Sequence, residues 1–439
     1  MRSLILFGIF CATIPAVLFK PYIGIYLWSW FGYMSPHRLT WGFTYDFPFA
    51  QIIALCTFAG LLFTKDRSAI PRNGLVAIWL AFILWMNITT VFAVDRDAAL
   101  IEWERTMKIQ LFSILTIVLI NDQRKLKYLV WIIALSIGFY GLKGGIFAVA
   151  SGAKYRVWGP PGSFIEDNNS IGLAFVMTVP LILFLAQTAE KRWQRFALAL
   201  VAGLTVVSTL STHSRGALLG VVAITLAWLQ HKRRIMIGFV ALLILAPFAF
   251  QMMPDNWKER MGTLQTYEQD SSAMGRIRAW RFAGELAMQR PIGAGFGAFS
   301  ESNYRKYAPS VAAEIDAGDG RFQNAHSIYF SVLGEHGLPG LVLFLLLGFV
   351  TLRKCKRVES LSRAQGDDWS AGLAASVRIG LIGYAVCGAF LNLAYFDLFY
   401  HLVAIALILE LLSKTGAPRI SNIGEEEGKA LQPSLGPIK

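Results

Sequence analysis

Residues 74–94 read GLVAIWLAFILWMNITTVFAV, a run without a single charge. A helix rises 1.5 Å per residue, so about 20 such residues cross the hydrocarbon core of a bilayer. In lipid every peptide group must be paired within its own helix or within a closed barrel. Runs of this length are too long for barrel strands, so they form helices. Comparable apolar segments fall near 2–19, 48–64, 108–121, 128–149, 170–187, 196–211, 216–230, 235–252, 327–352, 374–394 and 398–413. The expected fold is therefore an all-α polytopic membrane protein with about 12 transmembrane helices. Only 16% of the 439 residues are charged, well below the quarter or so typical of soluble domains, which excludes a soluble enzyme. No small-residue cleavage site follows residues 2–19, so they read as a first helix and not as a removable signal. Residues 20–34, with Trp28, Trp30 and Phe31, could form a further span, but an interfacial or re-entrant segment is preferred, because aromatic residues favour headgroup depth.

Charge gives the expected topology. The net charge is +13. Lys65/Arg67/Arg72, Arg124/Lys125/Lys127, Lys191/Arg192/Arg195, Lys232/Arg233/Arg234 and Arg353/Lys354/Lys356/Arg357 occupy every second loop, and loops rich in Lys and Arg stay cytoplasmic. Both termini then lie inside. The opposite set of loops (20–47, 95–107, 150–169, 212–215, 253–326 and 395–397) faces outward. The chain divides into N-terminal transmembrane helices (1–252), one large outer loop with an amphipathic helix (253–326), C-terminal transmembrane helices (327–413) and a disordered cytoplasmic tail (414–439). The basic excess belongs to this topology, and no clustered basic and aromatic surface of the nucleic-acid-binding kind is present. The four cysteines, Cys11, Cys56, Cys355 and Cys387, make neither a CxxC pair nor a disulfide framework.

The outer loops carry the chemistry. Arg156, Arg215, Arg276, Arg278 and Arg281 sit where the sorting rule disfavours cations, so a use other than topology is indicated. Arg276 is expected to open a helix that Pro291 closes, with Ile277, Trp280 and Ala287 on its apolar face. Arg215 stands where an apolar helix begins, and a guanidinium beside free helix N–H groups can grip a phosphate. His326 and Ser327 stand just before the apolar run from 327, and Ser327 is placed to cap that helix or to orient the imidazole. His336, about two turns further, is expected to be a packing residue. A neutral base with fixed cations on one face suits transfer of a sugar from a lipid diphosphate. The arginines hold the charge that grows on the leaving group, and the imidazole takes the proton of the attacking hydroxyl. No His/Asp/Glu cluster calls for a metal, the adjacent Glu166 and Asp167 reading as a loop cap, and no cofactor is needed.

His326-Ser327, nine residues, then Gly337-x-x-Gly340 resembles the His-[Asn/Ser/Gln]-x9-Gly-x-x-Gly motif of O-antigen ligases. STHSRGA (211–217) is similar to the Ser-Arg-Gly segment at a helix start in that family. GRIRAW…RPIGAGFGAF (275–299) resembles its arginine helix and Gly-rich turn, and GPPGSFIEDNNSIGLAF (159–175) resembles its Asn-containing loop. The N-terminal FKPYIGIYLWSWFGYMSPHRLTWGF resembles the exosortase-associated O-glycosylation ligase branch. The resemblance implies a GT-C-like helical fold in the bacterial inner membrane, with the site facing the periplasm. It implies a polyprenyl-diphosphate-linked glycan as donor and a lipid A–core sugar or a protein hydroxyl as acceptor. His326 would be the catalytic base, and Arg215 and Arg276 would bind the diphosphate. Arg156, Arg278, Asn168, Asn169 and Ser327 are further candidates without fixed roles. The family motif often continues Gly-Thr-Gly, whereas Leu341-Val342 follow Gly340 here. A polysaccharide polymerase using the same donor is the alternative. A lipid-linked glycan transporter fits less well, since no repeated halves or broken midplane helices are evident.

Overall fold

The structure is a computed structural model that describes residues 1–229, 271–318 and 320–415. The expected span at 235–252, the basic cluster Lys232/Arg233/Arg234 and the tail from 416 lie outside the described residues. All regular structure among those described is helical. The transmembrane-type helices are α1 (Arg2–Phe19), α3 (Phe49–Phe63), α4 (Gly74–Val91), α6 (Gln123–Ala150), α7 (Asn168–Thr188), α8 (Arg192–Leu210), α9 (Arg215–Leu229), α13 (Ile328–Ala364) and α14 (Asp368–Gly388). Seven of these are long and apolar enough to cross a bilayer, and α3 and α9 are shorter apolar helices. This multi-pass helical architecture agrees with the sequence, while the count near 12 exceeds the spans found among the described residues. The remaining helices are α2 (Tyr22–Met34), α5 (Arg96–Leu119), α10 (Ser271–Gln289), α11 (Glu301–Tyr307), α12 (Pro309–Ala317) and α15 (Asp397–Thr415).

The basic loops gather at one end of the bundle. Lys125 pairs with Asp66 at 2.7 Å, Gln123 Nε2 donates to Ser370 Oγ at 3.3 Å, and Asn73 Nδ2 donates to Glu410 at 3.2 Å. Glu410 also pairs with Lys354 and Lys414. The opposite end therefore holds the amino ends of α3, α5, α7, α9, α13 and α15.

Two segments depart from the expected threading. Residues 20–34 are not an outer or interfacial stretch. Helix α2 begins at the basic end, where Tyr26 Oη donates to Lys125 O at 2.9 Å, and climbs until Met34 O accepts from Tyr140 at 2.6 Å. Trp28 lies face to face with Phe112, centroids 3.7 Å apart. The aromatic residues that resembled a headgroup belt are packed between helices. Since Ser3 Oγ donates to Trp41 O, the start of α1 lies at the end opposite the basic loops, whereas α15 ends among them at Lys414. Residues 96–107 are likewise not loop. They are the first turns of α5, capped by Asp95, whose side chain accepts from Ala98 N at 3.1 Å.

The core is organised round α7 and α15. Both are almost wholly buried, as expected of helices with no lipid-facing side. Above them residues 271–318 and 320–326 form a small body with its own core of Phe282, Leu286, Tyr304, Val311 and Ile315. Helix α10 lies across α13, with Trp280 stacked on Phe330. It starts at Ser271, so Arg276 sits in its second turn and does not open it.

That body is fastened at a break in α13. Gly337 has φ 65° and ψ −167°. Leu338 N donates to Pro291 O at 3.1 Å, Ala294 N to Gly334 O at 2.9 Å and Gly295 N to Glu335 O at 2.9 Å. The Gly-rich turn after Pro291 thus satisfies the peptide groups that the break exposes. A Cβ on Gly337 would lie 1.8 Å from Pro291 O. Gly337→Ala is expected to destabilise the protein by at least ~1–3 kcal/mol through the left-handed backbone alone, with the clash adding to it. Gly348→Ala, where a Cβ meets nothing within 4 Å, should leave thermal unfolding unchanged. Equal melting of the two variants would show that the docked turn is not needed.

Candidate functional site

His326 is placed by its backbone. It has φ 43°, one of four non-glycine residues with positive φ among those described. A left-handed residue other than glycine costs energy and persists only where its surroundings hold it. The hold is visible: Trp280 Nε1 donates to Ala325 O at 2.8 Å, and Tyr304 Oη donates to Gln323 O at 2.8 Å. Helix α10 supplies Trp280, and one turn earlier it supplies Arg276. Gly275 lies so close to Gln323 that a Cβ would fall 2.5 Å from its amide. Arg276 is thereby carried up to the imidazole.

The imidazole opens onto a cavity of about 430 Å³. Its polar lining is Glu102, Arg105, Asp167, Ser170, Asn324, Asn392, Glu335 and Tyr395, and Phe164, Phe296 and Phe396 form apolar walls. Asp167 caps α7 through Ser170 N and Asn169 N, the latter at 2.8 Å. Glu335 accepts from Tyr395 Oη at 2.6 Å and from Gly297 N at 3.3 Å. Partial burial pulls the His326 pKa below its ordinary value, Arg276 pulls it further, and Asp167 opposes them. The ring is therefore neutral near pH 7 and able to accept a proton.

Of the candidates read from the sequence, His326 lines the cavity and Arg276 reaches it through its field. Asn168 and Asn169 follow Asp167 at the cavity rim, and Asn168 Nδ2 donates to Thr212 O at 2.7 Å. That bond ties α7 to the turn before Arg215. Val157 N donates to Ser211 O at 3.0 Å, which brings Arg156 to the same turn. Gly216 backs onto Phe390, which in turn faces Trp280. Arg215 and Arg156 therefore flank the site without lining the cavity. Ser327 is the N-cap residue of α13 by position, yet its side chain makes no cap bond, and its Oγ is buried without a hydrogen-bond partner. Arg278 faces elsewhere: with Arg281 it clasps Glu314 at 2.9 and 2.7 Å, bracing α10 against α12. His336 is fully buried, with Thr89 Oγ1 2.7 Å from its Nδ1. Among the described residues no group of three His, Cys, Asp or Glu is arranged to hold a metal.

The sequence reading passed over Glu102, Arg105, Glu335 and Tyr395. Arg105 carried a usable signal, being another arginine at the end away from the basic loops. Glu335 carried little, because a lone acid inside an apolar run does not reveal which cavity it meets.

A family model described as O-antigen ligase matches residues 200–345. Over these residues the chain is similar to the O-antigen ligase family. A second model, a family of unknown function (DUF5935), matches residues 1–190. No curated protein matches the chain. His326, Arg276, Arg215 and Glu335 lie in the O-antigen ligase segment, whereas Glu102, Arg105 and Asp167 lie in the other, so both segments build one cavity.

Titration of His326 by ¹³C NMR of the labelled protein should give a midpoint below the ordinary imidazole value of about 6.5. Arg276→Gln removes a cation and should raise it, and Asp167→Asn removes an anion and should lower it. A midpoint indifferent to both would detach these groups from the site.

Proposed function

We propose that this protein is a membrane glycosyltransferase of the ligase type. It moves a glycan from a polyprenyl-diphosphate carrier to an acceptor hydroxyl, on lipid A–core sugar or on protein, at the periplasmic face of the inner membrane. The observation that carries the reading is His326 itself: a neutral imidazole held in a left-handed turn, opening onto a cavity beside Arg276, inside the O-antigen ligase segment.

The acceptor O–H gives its proton to the imidazole as its oxygen attacks C1 of the donor sugar. The bond from C1 to the diphosphate oxygen breaks, and the diphosphate leaves on its lipid. Arg276 and Arg215 hold the charge that develops, each offering a planar fork that matches phosphate oxygens without a metal. Support also comes from the amino end of α13, which begins just past His326 at the cavity and favours an anion there. The polyprenyl chain needs only an apolar route, and the membrane-facing flanks of the bundle supply it.

The test is transfer by purified protein in nanodiscs with a lipid-linked glycan donor. His326→Ala should lower the rate by about 10² to 10⁴, the usual contribution of a general base, while donor binding survives. Arg215→Lys and Arg276→Lys should rescue little, because a point charge does not reproduce the fork. Activity should persist in excess EDTA. A near-normal rate for His326→Ala, or strict dependence on added Mg²⁺, would overturn the proposal.

A further inference from the structure

The His326 cavity does not end at Arg105. A second chamber of about 620 Å³ shares Glu102, Arg105, Phe164 and Phe396 with it. Its other walls come from α2, the 37–53 segment, α5 and Asp397, with no residue of the O-antigen ligase segment among them. The volume is in the range of small-molecule sites, roughly 300–1,000 Å³.

Two polar groups in this chamber lie in each other's electrostatic field yet keep hydrogen-bonding capacity that the fold does not fill. Asp397 is 9% exposed, and its Oδ1 is buried with no hydrogen-bond partner. A buried carboxylate oxygen without a donor is costly unless a ligand supplies one. Arg105, among the described residues, makes neither an ion pair nor a hydrogen bond. Its guanidinium lies over the Phe164 ring, 3.3 Å from the centroid, with its N–H groups left for another acceptor. The remaining surface is aromatic: Trp28, Phe31, Phe47 and Phe49.

We infer that this chamber binds a neutral saccharide next to the reacting centre. Aromatic faces pack against sugar C–H faces, and hydroxyls both donate to carboxylates and accept from a guanidinium. A lipid tail would leave Asp397 and Arg105 unmatched. An anionic ligand is disfavoured, because Asp46, Glu102 and Glu104 outnumber Arg105 and Lys108 on the walls. His37 adds no cation, since burial pushes its pKa down to about 4. The inference rests on the proposed transfer reaction, and it assigns the residues of the family of unknown function a role in sugar recognition. The sugar belongs to the donor glycan or to the acceptor, and binding distinguishes the two.

Three probes suffice with the full-length protein in nanodiscs: polyprenyl diphosphate, the same lipid bearing a neutral disaccharide, and that disaccharide free in solution. Gln51→Ala and Asp397→Asn, checked for unchanged thermal unfolding, should weaken binding of at least one saccharide-bearing probe about tenfold and leave bare polyprenyl diphosphate unaffected. Gln51 lines the chamber and is exposed, so its variant folds even where Asp397→Asn does not. Weakening of the lipid-linked form places the donor glycan in the chamber, and weakening confined to the free disaccharide places the acceptor there. Equal weakening of the bare lipid, or no change in any probe, overturns the inference. Failure of the transfer reading has a separate signature, wild-type protein that binds no polyprenyl diphosphate while the free disaccharide still binds.

Discussion

The site depends on an exchange of backbone hydrogen bonds at the break in α13. A helix interrupted inside an apolar bundle leaves peptide groups that no water can satisfy, and the turn from Pro291 to Gly295 satisfies them. With the turn fixed, α10 can only lie across α13. Trp280 then reaches the carbonyl of Ala325, and Arg276 arrives beside His326. The position of the imidazole is thus set from a point about three helical turns away, through rigid backbone. Of the Gly-x-x-Gly pair, Gly337 serves this docking, while Gly340 makes room for Trp85 of α4.

The membrane-spanning helices were plain in the sequence because burial in lipid leaves long uncharged runs, and the basic loops marked one end because charge sorts by side. The same rules failed where packing replaced them. Tyr22 to Met34 carry the aromatic composition of a headgroup belt but are paid for by stacking inside the bundle, Trp28 on Phe112. The start of α5 is polar, so hydropathy placed it in a loop, although Asp95 with Ala98 forms an ordinary N-cap that a capping rule detects.

The candidate site was legible to the extent that charge on the unexpected side is itself a signal. It marked Arg215 and Arg276, and the histidine motif marked His326. Arg278 met the same criterion and proved to be a brace for Glu314, because the sign of a residue's surroundings does not disclose its partner. Glu335 stayed hidden for a different reason. Its significance comes from a cavity assembled by helices far apart in sequence, and it has no local pattern that announces one.

The shared cavity makes the O-antigen ligase segment an incomplete unit. His326 and Glu335 face Glu102, Arg105 and Asp167 across the same space, so the dielectric around the imidazole is set largely by another part of the chain. Cut out on its own, residues 200–345 would expose His326 to bulk water and strip away Asp167, leaving the imidazole with Arg276 but without the walls that bury it. Reactivity here is a joint property of two segments, and transplanting one without the other would carry over the motif without its chemistry.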